Sequence, residues 1–387
     1  MLIAALSTPL MARNALMLGN LVTGVAVLAP AGMLPELAAG LDASIQQAGL
    51  LVTFGAVILC FGSPLLAWAT SRMDRRMLLA GTMLVVTIGH AVSALAPDYG
   101  TLLGARLLLL AVTAIYTPQA AGTVALLVRP AERSEAIAYI FLGWSLAIAV
   151  GLPTIAFVAS HFGWRTVYGA LTFLGALAFV MNALALPAGL KGMPLSLASW
   201  GTIARNRTIL LLLAVTGLTV AGQFHLFVYL GPLLTALTGA GVETIALTFA
   251  GVGVAGVVGN ILTQRGVRRF GTFGMSCMMI GCMMTGLVIW SLGTGLQPIM
   301  IAGMVLVGFG TAASNTMQQA RLASVAPDLA SATIALNTSA IYVGQAVGSA
   351  LGGIWLQRGM PAMVGYEGTA IMAAAVCVLV LTRPRRA

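Results

Sequence analysis

Arg106 is the only charged residue in the long apolar run 99–128. A charge at the centre of a bilayer costs at least ~2.5 kcal/mol, so such a side chain faces protein or water rather than lipid. Thr113, Tyr116 and Thr117 follow it seven, ten and eleven residues on, sharing its helical face. The stripe has two readings: an arginine held by backbone carbonyls, or one lining the path of a solute. A second stripe, Thr311, Asn315, Gln318 and Gln319, recurs at helical spacing in the run 298–323. Its amides either bond to neighbouring helices or line an aqueous cavity. The run 207–236 carries Thr216, Thr219 and Gln223 on one face, and His225 and Tyr229 on another roughly 200° away. One of these faces is expected to meet a cavity. Thr338, Tyr342 and Gln345 mark the run 329–358, and Asn20 marks the first run.

These groups bind; they do not form a catalytic set. No GxxxxGK[ST] loop is present, which argues against an ATP-driven pump. No HExxH or Cys/His cluster suggests a metal, and no paired carboxylates suggest hydrolysis. Cys60, Cys277, Cys282 and Cys377 lie inside apolar runs, where cysteine packs as a small hydrophobe. Neither an enzyme, a cofactor nor a metal is expected.

The elements that position these residues follow from composition. Of 387 residues, 59% are hydrophobic and 7% charged, and the mean hydropathy is +1.01. Soluble domains carry about 25% charged residues, so most of this surface must face lipid. A spanning helix takes roughly 20 apolar residues. Apolar runs bounded by charges, Pro and Gly predict twelve spans. They cover 14–38, 44–70, 76–97, 99–128, 134–160, 162–186, 207–236, 244–266, 271–295, 298–323, 329–358 and 362–382. The polar break 187–206 separates an N-terminal six-helix half, 1–186, from a C-terminal half, 207–387, and reads as a cytoplasmic linker. The start of the chain lacks the basic segment of a cleaved signal peptide.

The net charge of +10 comes in short basic clusters, with no stripe suited to nucleic acid. With the N-terminus inside, 16 of the 19 basic residues fall on the cytoplasmic side; Arg165 and Arg358 fall outside and Arg106 within a span. That asymmetry places both termini in the cytoplasm. Arg72, Arg75 and Arg76 recur as Arg265, Arg268 and Arg269 at an offset of 193 residues, which also carries Gly151 onto Gly344. Such internal repeats are typical of secondary transporters, whose substrate site lies between the repeats.

Several motifs resemble the major facilitator superfamily, over nearly the whole chain. They are the loop Ala67–Arg76 with Arg72, Asp74, Arg75 and Arg76; Arg106; Gly143, Gly151 and Pro153; Phe162–Arg165; and Ala326-Pro-Asp328 with Ala335-Leu-Asn337. Within it the chain is similar to the bacterial twelve-span drug/proton antiporters, near the arabinose, purine and chloramphenicol exporters. The resemblance implies an all-α fold of two six-helix bundles in the bacterial inner membrane. It assigns gating to Arg72, Asp74, Arg75, Arg76, Gly143, Gly151 and Pro153, and proton coupling to Arg106. Two positions depart: Ser71 replaces the family Asp of the loop, and Val27 stands where related exporters often carry Glu.

The resulting expectation is a transporter that exports a small organic solute (a drug, sugar or nucleoside) by proton antiport and alternating access. The alternatives are an uncoupled facilitator or uptake permease and, more remotely, a sensor built on a transporter fold. Substrate contacts are expected from Asn20, Arg106, Thr113, Tyr116, Gln223, His225, Tyr229, Asn315, Gln319, Tyr342 and Gln345. No acid is placed at mid-depth in any span. Proton coupling is therefore assigned to His225, because histidine titrates near ~6.5. Arg106 is to modulate it by repulsion if the halves bring the two together, and Glu36 is the substitute. Expected partners are the solute, protons and the lipid bilayer, with no nucleic acid; the chain is expected to be a monomer.

Overall fold

The computed structural model describes residues 9–70, 72–129, 132–190, 205–326 and 330–383. Most of the linker 187–206, including Lys191, lies outside them, as do Ser71, Asp328, Arg385 and Arg386. Among the described residues the structure is all helical. The N-terminal helices are α1 (Pro9–Leu28), α2 (Leu34–Gly40), α3 (Ile45–Ala69), α4 (Arg75–Leu95), α5 (Tyr99–Thr113), α6 (Tyr116–Leu127), α7 (Arg133–Leu146), α8 (Leu152–Phe162) and α9 (Trp164–Ala185). The C-terminal helices are α10 (Arg207–Phe227), α11 (Leu230–Thr238), α12 (Val242–Leu292), α13 (Gln297–Val325), α14 (Ala330–Gln357) and α15 (Pro361–Leu381).

Ten stretches among the described residues are long and apolar enough to cross a membrane. One of them, α12, runs for 51 residues and contains Gly271 at φ 68°, ψ 172°. At 1.5 Å per residue it would be about 76 Å long, over twice a hydrocarbon core. Gly271, free of a Cβ, adopts the positive φ that breaks it into two helices.

Proline sets the other breaks. Pro30, Pro118 and Pro153 have no N–H for the carbonyl four residues back, so the helix must yield there. At Pro30 α1 passes through the tight turn Ala29–Gly32 into α2. α5 gives way to α6 just before Pro118. Before Pro153 the turn Ala147–Gly151 widens into a π-helix between α7 and α8. Fixed starts come from caps: Asp74 accepts from Met77 N at 3.0 Å, Asp98 from Thr101 N at 2.8 Å, and Asn206 from Thr208 N at 3.0 Å.

The outer surface is apolar. Leu95 is 82% exposed, and Phe173, Leu108 and Leu247 are nearly three-quarters exposed. In water this would drive aggregation; against lipid it is the preferred surface. Polar groups point inward instead: Asn20, Arg106, Asn182, His225 and Asn337 are fully buried. The ends differ as well. Arg13, Arg72, Arg76, Arg129, Arg207, Arg265 and Arg268 gather at one end of the bundle, here called the basic end.

Candidate functional site

Each half holds an internal glycine seam. Gly143 and Gly151 lie against α1, where an added Cβ would strike Leu21 N and Val25. Gly344, Gly348 and Gly352 lie against α10, where a Cβ would strike the backbones of Gly217, Ala221 and His225. The glycines related by 193 residues thus bring equivalent helices together. Here they pack the halves internally.

The contacts between halves use other residues. α3 lies along α14. Gly353 abuts Gln46, the Thr53 and Ser349 hydroxyls are 2.7 Å apart, and Ser339 Oγ donates to Cys60 O at 3.1 Å. Tyr342, three residues after Ser339 and seven before Ser349, shares that face. On the other side Gly253 of α12 sits directly on Ala149, inside the π-turn. Small side chains and hydroxyls at both seams let backbones approach closely.

A cavity of about 30 Å³ lies behind the Gly253 seam. Ser145 and Ile148 line it from the N-terminal half; Gln223, Phe227 and Thr311 line it from the other. It holds a water or two and no organic solute, so the halves are drawn together here. Gln223 decides which face of α10 meets the interface. The half-exposed Asn315 and Gln319 continue the Thr311 face of α13 towards the basic end. Behind them Thr216 donates to Asn337 Oδ1 at 2.7 Å, and Asn337 Nδ2 to Asn315 Oδ1 at 3.0 Å. Gln318 turns away, donating to Leu212 O at 3.3 Å. In the N-terminal half, Asn20 accepts from Thr117 at 2.8 Å, and Thr117 accepts from the Trp144 indole at 3.1 Å.

The Major Facilitator Superfamily model matches residues 16–285, more than half of the sequence. The chain belongs to the major facilitator superfamily. It is a multi-pass membrane transporter and not an enzyme, and the fold is the superfamily's all-helical one. An inner membrane transport protein of Escherichia coli, YdhP, is 29% identical over 367 residues, covering 95% of this chain and 93% of the relative. A chloramphenicol efflux pump of Mycobacterium tuberculosis is 27% identical over 362 residues, covering 90% and 87%. Among solved structures, a D-xylose–proton symporter superposes with a TM-score of 0.79 at 14% identity, covering 97% of this chain and 98% of the other.

Within this superfamily fold, Arg106 meets backbone carbonyls and a phenol. Its guanidinium is fully buried, donating to Ala26 O at 3.1 Å, Val27 O at 3.5 Å and Tyr168 Oη at 3.4 Å. Thr113 donates back to Leu109 O, and Tyr116 reaches past Gly19 to Asn182 at 2.9 Å. These three are occupied within the N-terminal half. Arg106 and His225 are not brought together. Arg106 is enclosed by α1 and α9; His225 is enclosed by α14 and α15, because Gly352 and Gly368 admit those helices against it. Its partner is an acid the sequence reading passed over. His225 Nε2 lies 3.4 Å from Glu367 Oε2, and Glu367 is the seventh residue of α15, well inside the helix. Tyr229 donates to Ser349 O at 2.9 Å and packs against Gly49 of α3, so it belongs to the seam. Gln345 is buried with an unpaired amide nitrogen. Glu36 is half-buried in the first turn of α2, with one unpaired oxygen.

At the basic end, Asp74 accepts from Gly189 N, Arg75 N donates to Leu190 O at 2.8 Å, and the Arg75 guanidinium bonds Gln119. Gln119 lies in the N-terminal half and Gly189 and Leu190 at the start of the linker, so among the described residues these bonds form no latch to the other half. Arg72 is exposed, Arg76 half-exposed and Pro153 half-buried. Arg321, one of the 16 basic residues that the sequence reading put on the cytoplasmic side, is 5% exposed; it donates to Gln318 at 3.0 Å and Thr382 O at 2.9 Å. The buried asparagines 182 and 337 were also legible as intramembrane polar residues but were not singled out as site residues.

Proposed function

We propose that this chain exports a small organic solute across the bacterial inner membrane by proton antiport, with alternating access between its halves. The observation that carries this reading is a cavity of about 30 Å³ between the halves at the Gly253 seam, lined by Gln223, Thr311 and Ser145. A solute site that shrinks when two bundles close on it is what alternating access requires. Gln223 and Thr311 on one side, with Ser145 on the other, supply neutral hydrogen-bonding groups to that cavity. Such a lining suits an uncharged or weakly polar solute. The relatives named for efflux and inner membrane transport support export and location. Twelve spans follow if α12 is counted twice at Gly271 and α14 is included. The basic end then faces the cytoplasm with both termini, and the chain works as a monomer.

The test uses purified protein in proteoliposomes with labelled chloramphenicol, and sugars and nucleosides in parallel. Export by antiport predicts accumulation against a concentration gradient when the compartment receiving solute is acidified. Equilibration that ignores the pH gradient would replace antiport by facilitation, and no flux of any probe would remove the exporter reading for these classes.

A further inference from the structure

We propose that Glu367 and His225 form a proton-binding site inside the C-terminal helices, reached from the end opposite the basic one past Arg358 and Trp355. The site deepens the antiport reading and rests on it. The groups form a graded chain. Arg358 is exposed beyond the end of α14, and its guanidinium lies 5.4 Å from the Trp355 ring centroid. The Trp355 indole N–H donates to Glu367 Oε2. The same oxygen is 3.4 Å from His225 Nε2. Exposure falls along the way: the Glu367 side chain is 32% exposed and that of His225 is 0%. Glu367 is thus the mouth and His225 the terminus.

The imidazole is free to take a proton. Nε2 has no hydrogen-bond partner, so protonation there breaks no bond and places an N–H towards Glu367 Oε2. The proton comes from water at that surface. The empty pair, neutral imidazole with carboxylate, carries one negative charge; the loaded pair is neutral overall. In a medium of low dielectric that change is large for so small a ligand. The surroundings leave the charge to the pair itself. α12 contributes Trp290 and Ser291, against Gly365 and Thr369 of α15. α10 and α11 contribute Tyr229 and apolar groups, α14 contributes Gly352 and Trp355, and α15 adds Gly368 and the exposed Tyr366. The charged group next in that row of side chains is Arg358, across the Trp355 ring.

The same position links the pair to the seam. His225 is one turn before Tyr229, where α10 breaks into α11. Tyr229 holds Ser349 O and fills the space at Gly49 and Gly353, between the halves. A change of charge at His225 is therefore felt at the helix break whose side chain closes that end.

The experiment is infrared difference spectroscopy of the purified full-length protein, stepped from alkaline to mildly acidic pH. An imidazolium ring band from His225 is expected in the wild type and is to vanish in His225→Gln. Glu367→Gln is to displace its midpoint by about one pH unit or more, the size of shift a neighbouring charge produces. If either variant fails to fold, Trp355→Phe decides, since it removes one donor to Glu367 and leaves the pair: a displaced midpoint supports the site. A band that survives His225→Gln, or a midpoint unmoved in the folded variants, overturns it. Chloramphenicol flux in the same preparation separates the two proposals. Gradient-driven flux without the spectroscopic response rejects this site and leaves antiport standing. The response without gradient-driven flux leaves a proton-binding site and rejects antiport.

Discussion

Arg106 donates to the carbonyl of Ala26, the acceptor that Pro30 cannot serve. Four residues downstream of Ala26, proline lacks the N–H that would close the helical turn. The guanidinium replaces that donor from another helix and so allows α1 to bend without orphaning a polar group in a lipid-facing bundle.

The first prediction follows from that pairing. Arg106→Ala leaves the Ala26 and Val27 carbonyls buried without their donor, at a cost of about 1–3 kcal/mol. In Pro30→Ala the chain regains its own donor, so the loss from Arg106→Ala should be smaller in that background. A double-mutant cycle of unfolding in detergent should give a coupling of about 1 kcal/mol. Strict additivity would show that the arginine does not serve the bend.

The seam between α3 and α14 gives the second. Thr53 and Ser349 have hydroxyls 2.7 Å apart, so cysteines at both positions should form a disulfide across the halves. In a background with Cys60, Cys277, Cys282 and Cys377 replaced, oxidation should stop labelled chloramphenicol flux and reduction should restore it. Full flux in the oxidised protein would mean that the halves need not separate there.

Gly253 supplies the third. A Cβ at this position would run into the Ala149 backbone, so Gly253→Leu should hold α12 off the π-turn and disfavour the closed seam. A cysteine at Gln46, beside Gly353 at the far end of the other seam, should then react faster with a membrane-impermeant maleimide. An unchanged labelling rate would mean that the two seams move independently.

The arginines of the basic loop should separate in the fourth. Arg75 is 6% exposed and bonds Gln119; Arg72 is exposed. Arg75→Ala should lower stability by about 1–3 kcal/mol, the cost of an unpaired buried amide. Arg72→Ala should stay within about 0.5 kcal/mol of the parent. Thermal unfolding of the purified variants reads both. Equal losses would contradict the geometry.

The spans were legible because apolar runs report the solvent directly. The helix breaks at Pro30, Pro118 and Pro153 were legible in principle as well, each from a missing N–H. Neighbours were harder. The periodicity of 207–236 separates Gln223 from His225, but only packing shows that the Gln223 face meets the cavity while His225 turns into its own half. Glu367 was passed over because an acid close to the boundary of an apolar run looks like the start of a helix. The span drawn from 362 starts one residue from the observed Pro361 and already contained Glu367. Arg321 was hidden for the converse reason. A cation near a helix end marks topology in sequence, while in space it is tucked under the C-terminus of α15.

The two seams have a further consequence. At the 193-residue offset Gly253 corresponds to Cys60 and Ala149 to Tyr342. The contact of Gly253 with Ala149 and the contact of Cys60 with the Ser339–Tyr342 turn are therefore a single pairing made twice. A six-helix chain docking onto a copy of itself about a twofold axis would form both at once, since each isologous contact implies its mirror partner. Fusing two such copies end to end would keep the pairing and free each to diverge. One could then keep an arginine at its helix bend while the other acquired a histidine and a carboxylate.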